Sequence, residues 1–228
     1  MSYSYNDKRM SGASGHVSVI AWFKTLIRAS GLYGQTGASI GTLENGMTSA
    51  LTEFGRLRGA GITRQLPRVE MERRISTFLG QGNVCVLATC RDNEPRATPI
   101  EYYSKALTIF IAASRGTKLP NIENNPRVSV AIYNTPYTDW TDWHQVRGLQ
   151  IMATPELLRF DDQPDAYTAA LQIYDWRKYR RAMGLADEEP RKTTIVKLTP
   201  TRIEFRDLAL LREGYGVLQT WKDDSSSD

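Results

Sequence analysis

VCVLATCRDNEPRATPIEYYSKALTIFIAASRGTKLPNIENNPRVSV, residues 84–130, carries the clearest pattern of strands and turns in the chain. It holds three apolar runs, 84–89, 98–103 and 107–112, rich in β-branched and aromatic residues. Arg91-Asp92-Asn93-Glu94-Pro95 separates the first two and Ser104-Lys105-Ala106 the last two, so they read as strands joined by turns. Ser114 to Lys118 opens a short helical segment that Asn125-Pro126 closes, and a fourth strand follows at 127–133. Strands joined by hairpins, with one short helix before the next strand, predict an antiparallel barrel rather than a βαβ array.

Outward from this stretch, Pro67 is well placed to open a helix over 68–79. Its stripe is Met71, Ile75, Phe78 and Leu79, and Gly80-Gln81-Gly82 stops it. After Tyr133, residues 134–142 look like an insertion, and 143–153 read as a long strand that Pro155 ends or marks as an edge. Residues 161–183 read as helical, and 193–198 with 202–205 as a last hairpin around Thr199-Pro200. The tail 215–221 is apolar enough to pack and to cover a pocket. Residues 1–15 read as loose chain, 16–30 as a helix that only partly fits the helical period, and 47–57 as another helix. The expected division is an N-terminal extension, partly helical, over 1–65, a barrel domain over 66–210 and a tail over 211–228. Packing onto the barrel or onto a second copy is the plainer reading of the extension, with a regulatory or membrane-surface role as the alternative.

Composition narrows the function. Hydrophobic residues make up 41% of 228 and charged residues 24%, which supports a packed core. A net charge of +4 favours small anions, and a nucleic-acid partner is not expected. Cys85 and Cys90 lie an odd number of residues apart on one strand, so they point to opposite faces and neither a disulfide nor a zinc site is expected. A cytoplasmic location follows as an expectation. No apolar run reaches the roughly 20 residues a membrane helix needs, so no membrane partner is expected. His16 and His144 are the only histidines, which yields neither a metal cluster nor a nucleophile–base pair.

Arg96-Ala97-Thr98-Pro99-Ile100, Phe110-Ile111-Ala112, Gly116-Thr117-Lys118 and Ile122-Glu123-Asn124-Asn125-Pro126-Arg127-Val128-Ser129 resemble the pyridoxamine 5′-phosphate oxidase-like family, over roughly residues 68–207. The resemblance implies a mainly β fold with flanking helices, an antiparallel FMN-binding split β-barrel, working as a homodimer with flavin sites between subunits. It implies FMN as cofactor and an oxidoreductase acting on a small-molecule substrate. A non-catalytic flavin- or haem-binding protein and a deazaflavin-dependent reductase are the alternatives, since the family includes both.

By the same resemblance Arg96, Thr117 and Lys118 hold the FMN phosphate. A guanidinium can clamp phosphate oxygens in pairs, whereas a lysine acts as a point charge. The oxidases carry an Arg at the position of Thr117, and Arg115 could supply the missing charge. Ala97, Thr98, Pro99 and Ile100 would line the flavin, and Ile111 and Ala112 would touch it through the backbone. Alternation sends Arg96, Thr98 and Ile100 to one face and Ala97, Pro99 and Glu101 to the other. Gln145, in His144-Gln145-Val146-Arg147, resembles the family glutamine that bonds the flavin across the dimer, as an amide that donates and accepts can do. Glu101 stands where the oxidases use a Lys against substrate phosphate. At ~4 Å and an effective dielectric of ~20, like charges cost on the order of 4 kcal/mol, which argues against a vitamin B6 phosphate substrate. Glu101 is left to face an amine or water, and His144 a substrate or the surface. No catalytic residue is assigned, because hydride transfer to a flavin requires no protein base.

Overall fold

The chain is described by a computed structural model over residues 40–114, 116–134, 140–186 and 188–224. Two helices precede the sheet, α1 (Ile40–Gly59) and α2 (Arg68–Gln81). The strands are β1 (Val84–Arg91), β2 (Glu94–Glu101), β3 (Tyr103–Lys105), β4 (Thr108–Ala113), β5 (Val128–Tyr133), β6 (Arg147–Leu158), β7 (Thr194–Asp207) and β8 (Leu218–Lys222). Helix α3 (Lys118–Asn124) lies between β4 and β5, and α4 (Pro164–Ile173) and α5 (Trp176–Ala182) lie between β6 and β7. The sheet order is β2-β1-β5-β6-β7-β4-β3, with β8 on β7, and every described pairing is antiparallel. The chain passes directly from β2 to β3, so the two ends of this order are neighbours in sequence. The sheet curls into a barrel split along that seam.

The interior follows from alternation. Cys85, Leu87 and Thr89 of β1 point inward and are buried, as are Val130 of β5, Ile151 of β6 and Ile203 of β7. Helix α2 closes this interior with the expected stripe, Met71, Ile75, Phe78 and Leu79, all buried. Each such side chain contributes roughly 1.5–3 kcal/mol relative to exposure. A second cluster, Phe110, Leu158, Tyr167, Leu171, Trp176 and Ile195, sits beneath α4 and α5 on the other face of β4 and β7. A third gathers Trp143, Leu208 and Leu211 with Phe54, Leu57 and Ile62. From Gly46 onward the chain is one compact unit.

Several boundaries differ from the sequence expectation, for physical reasons. The first turn contracts to Asp92-Asn93, both at positive φ (52° and 62°), the geometry that matches strand twist in a two-residue hairpin. The run 98–103 is two strands, broken where Tyr102 turns inward and donates its hydroxyl to Leu79 O at 2.7 Å. Residues 140–145 form a kinked 3₁₀ segment, not the start of a strand. Pro155 does not end β6, which runs on to Leu158 paired with Ile195. Thr199-Pro200 does not turn the chain either. β7 continues through it, and the pairing skips a residue between Met152 and Ala153, opposite Arg202 and Pro200. Such a bulge is where a strand tolerates a residue without an N–H. The helical stretch after β6 breaks at Tyr174 and Asp175, where Asp175 caps α5 by accepting from Lys178 N. The tail supplies β8, a strand of the sheet. Residues 1–39, with the helix expected at 16–30, lie outside the described residues, as do 135–139 of the insertion-like stretch.

The cysteines occupy opposite faces of β1. Cys85 is buried and its thiol is pushed up to about 12, by burial first and by the nearby Glu101 second. Cys90 is half-buried and lines a surface cleft. Iodoacetamide applied to the folded protein at about pH 8 is expected to label Cys90 and spare Cys85, since the thiolate is the reacting form. Peptide mass spectrometry reads the outcome directly.

Candidate functional site

The seam of the barrel is bordered on one side by β2, which among the described residues pairs only with β1. Its register can be read to the level of single groups. Tyr102 N donates to Asn83 O at 2.9 Å, the rung that follows Val84 opposite Glu101. Antiparallel residues alternate between bonding their neighbour and pointing both main-chain groups away. Arg96, Thr98 and Ile100 therefore bond β1. Pro95, Ala97, Pro99 and Glu101 turn their main chain to the free edge. Both prolines fall in the set that needs no ladder donor. The edge thus offers the N–H and C=O of Ala97 between the carbonyls of Pro95 and Pro99.

Side chains on β2 sort by their partners on β1. Arg96, Thr98 and Ile100 oppose the buried Thr89, Leu87 and Cys85, so they lie on the inner face, while Ala97, Pro99 and Glu101 lie on the outer one. On the other side of the seam, β4 is paired with β3 only through Phe110, so Ile111, Ala112 and Ala113 have one free edge. Ile111 is wholly buried by its side chain and has only its backbone to present there.

Residues 116–118 follow. Gly116 has φ +90°, a conformation that favours glycine, and Lys118 Nζ lies 3.8 Å from where a Cβ on Gly116 would sit. Thr117 precedes α3 without spending its hydroxyl on a cap. Helix α3 is pinned to β1 by the buried Asn121, whose Nδ2 donates to Thr89 Oγ1 at 3.0 Å. Thr89 is the residue directly opposite Arg96. Thus α3 packs on the end of β1 that Arg96 opposes. Arg96 is exposed and makes no ion pair with a carboxylate among the described residues. Asn121 carries no spacing signal in the sequence. Only its burial between strand and helix identifies it.

Arg96, Ala97, Thr98 and Pro99 thus border one side of the seam and Ile111 and Ala112 the other, while Thr117 and Lys118 lie at the start of the helix that packs on β1 through Asn121. Arg115 lies outside the described residues. Gln145 is not part of the seam. It is exposed on the segment leading into β6, three strands from β2, or ~14 Å at ~4.8 Å per strand. It also lies at the opposite end of the sheet, beside Tyr133 and Gly148. His144 is half-buried, edge-on to Trp143 with ring centres 5.9 Å apart. Glu101 is exposed, and its charge helps raise the phenols of Tyr103 and Tyr174, for which burial is the larger cause.

Two clefts lie near these elements without containing them. One, of about 500 Å³, lies along β1, β5 and β6 next to Arg96 and is lined by residues of both faces, Ala88, Thr89, Cys90, Pro95, Val128 and Met152 among them. The other, of about 210 Å³, lies between α2 and β7 with Arg73, Arg74 and Arg147 around Asp207. Burial raises the Asp207 carboxyl although Arg147 Nε is 3.2 Å away, and Glu70 and Glu213 already engage Arg74. That cleft is internally neutralised. Among the described residues no group of His, Cys, Asp or Glu is placed to hold a metal ion, and no helix is long and apolar enough to cross a membrane.

The family model described as pyridoxamine 5′-phosphate oxidase matches residues 71–207, more than half of the chain. Similar solved structures include general stress protein 26 from Bacillus anthracis, at 20% identity over 59% of this chain and 92% of that one, TM-score 0.43. A FAD-binding protein from Mesorhizobium loti aligns at 16% identity over 61% and 94%, TM-score 0.47. A heme binding protein from Mycobacterium smegmatis aligns at 20% identity over 70% and 60%, TM-score 0.47. No curated protein matches the chain.

Proposed function

The chain belongs to the pyridoxamine 5′-phosphate oxidase family, and from that premise we propose that it is an FMN-binding oxidoreductase acting, as a homodimer, on a small molecule other than a vitamin B6 phosphate. The observation that carries the reading is the seam. An exposed arginine with no carboxylate partner among the described residues stands beside a strand edge whose N–H and C=O have no partner among them either, and its strand neighbour Thr89 is bonded to Asn121 of the helix that begins with Lys118. Arg96, Thr117 and Lys118 would hold the phosphate. The Ala97 edge would meet polar atoms of the ring, with Thr98, Pro99 and the backbone of Ile111 and Ala112 as the wall. When bound, FMN supplies the electron transfer, and the chain's residues orient it.

The homodimer rests on the outer face of β2, β1, β5 and β6. That face carries Val86, Ala88, Ala131 and Ser129, with Val84, Tyr133 and Met152 exposed at 55%, 72% and 52%. A second copy laid on this face would cover these side chains and bring a partner's Gln145 toward a seam that its own chain does not reach. A haem ligand is disfavoured, because the only described histidine has its ring half-buried against Trp143.

The test is to purify the protein without added cofactor and identify the released small molecule by absorbance and mass spectrometry, with light scattering for the oligomeric state. Bound FMN in a dimer is the expected result. A colourless monomer that takes up no added FMN contradicts the reading. Tighter binding of a deazaflavin would transfer the site to that cofactor.

A further inference from the structure

The segment that carries Gln145 is braced from behind by the helix that precedes the barrel. Trp143, two residues before Gln145, is fully buried. On one side the ring of Phe54, on α1, lies 5.0 Å from it at a tilt of 37°. On the other, the Arg212 guanidinium sits 4.9 Å over it. Arg212 is itself fixed to α1, since its Nε and Nη2 donate to the Glu53 carboxylate at 3.0 and 2.7 Å. That pair holds the Glu53 carboxyl below the usual carboxylate range. Leu208 and Leu211 complete the seat of the indole, and Leu208 N donates to Val146 O at 3.1 Å. In front, Asn134 brackets the same segment. Its Nδ2 donates to Gln145 O at 2.6 Å and its Oδ1 accepts from Arg147 N at 2.8 Å. Of residues 141–147, Gln145 is the exposed one.

We propose that α1 is a positioning element for Gln145, acting through Phe54, Glu53 and Arg212 on Trp143. A short 3₁₀ segment has few hydrogen bonds of its own and a kink at Asp142. Its geometry is therefore set by what packs against it. The inference rests on the reading that Gln145 meets the flavin, and it gives the N-terminal extension a task in that site.

The experiment compares the full-length parent with Phe54→Ala, Phe54→Leu, Glu53→Gln, Gln145→Ala and the Phe54→Ala/Gln145→Ala double variant. Hydrogen exchange of residues 140–147 in flavin-free protein is the first readout. Phe54→Ala is expected to raise exchange there about tenfold while leaving β4 unchanged, with Phe54→Leu restoring the parent rate. Glu53→Gln, which keeps the apolar packing, is expected to raise it less. FMN titration is the second readout. Phe54→Ala and Gln145→Ala each raise the dissociation constant about tenfold, and the double variant is no worse than either, because one interaction is lost by two routes. Unchanged exchange at 140–147 in both Phe54→Ala and Glu53→Gln overturns the inference. So does an additive, roughly hundredfold, loss in the double variant. If Gln145→Ala binds FMN as the parent does, the flavin-edge role of Gln145 falls and the inference with it, while the seam residues still answer separately for the cofactor.

Discussion

Arg96→Gln raises the dissociation constant for FMN by roughly 10- to 150-fold, the equivalent of ~1.5–3 kcal/mol for a lost charged hydrogen bond. The effect is concentrated in binding because the side chain does little else. Arg96 is exposed and has no carboxylate partner among the described residues, so its removal leaves no buried group orphaned. The melting temperature of the flavin-free protein should be unchanged. Arg96→Lys should recover part of the affinity and not all, since an ammonium supplies the charge without the paired donors. Lys118→Gln should weaken binding in the same direction. Raising the salt should weaken the parent's binding more than that of the charge-removed variants. Fluorescence titration of FMN into the four proteins at two ionic strengths decides it. Parent-like affinity in both Arg96→Gln and Lys118→Gln would remove the phosphate assignment.

Much of this seam is legible in the sequence because its logic is local. Asp92-Asn93 between alternating apolar runs specifies a hairpin, and a hairpin fixes which residue opposes which. From that register follow the faces of Arg96 and Ala97 and the placement of both prolines on the free edge. The α2 stripe is equally local, a period of 3.6 in which all four apolar positions are buried. What could not be read is non-local. Pro155 and Pro200 look like punctuation, yet each lies in a long strand, because the bulge that accommodates Pro200 is a property of two strands brought together by distant sequence. Trp143 and Val146 resemble strand residues by composition. The 3₁₀ segment exists because Phe54, Leu208 and Leu211 build a pocket for the indole, and nothing near position 143 encodes that pocket. For the same reason Gln145 is recognisable as a residue type but not as a location.

Gln219→Leu is expected to cost ~2–5 kcal/mol of stability, the largest loss foreseen for a single side chain outside the apolar core. Gln219 is fully buried on β8, and its amide serves backbone from two separate segments. Oε1 accepts from Leu66 N at 2.6 Å, and Nε2 donates to Gly216 O at 2.6 Å and more weakly to Arg64 O at 3.3 Å. Leucine fills a similar volume but leaves the Leu66 N–H and the Gly216 carbonyl buried without partners, at roughly 1–3 kcal/mol each. For a domain of this size that corresponds to a fall in melting temperature of roughly 5–15 °C. Gln219→Glu should fail for a different reason, since it keeps the acceptor for Leu66 N but presents a carboxylate oxygen to the Gly216 carbonyl. The loss should also be directional within the fold. Gln219 is the buried rivet between β8 and residues 64–66. Around it Gln65 Nε2 donates to Leu218 O at 3.1 Å, and Gln65 Oε1 accepts from Thr220 N at 2.9 Å. Those residues connect α1 to α2, so loosening them should free α1 before the barrel melts. Hydrogen exchange in Gln219→Leu should therefore rise first at residues 62–66 and 216–222, and next at 140–147, with β1 and β5 protected until global unfolding. Uniform exchange, or a melting temperature within a degree or two of the parent, would show that water replaces the amide and that β8 is held by its ladder to β7 alone.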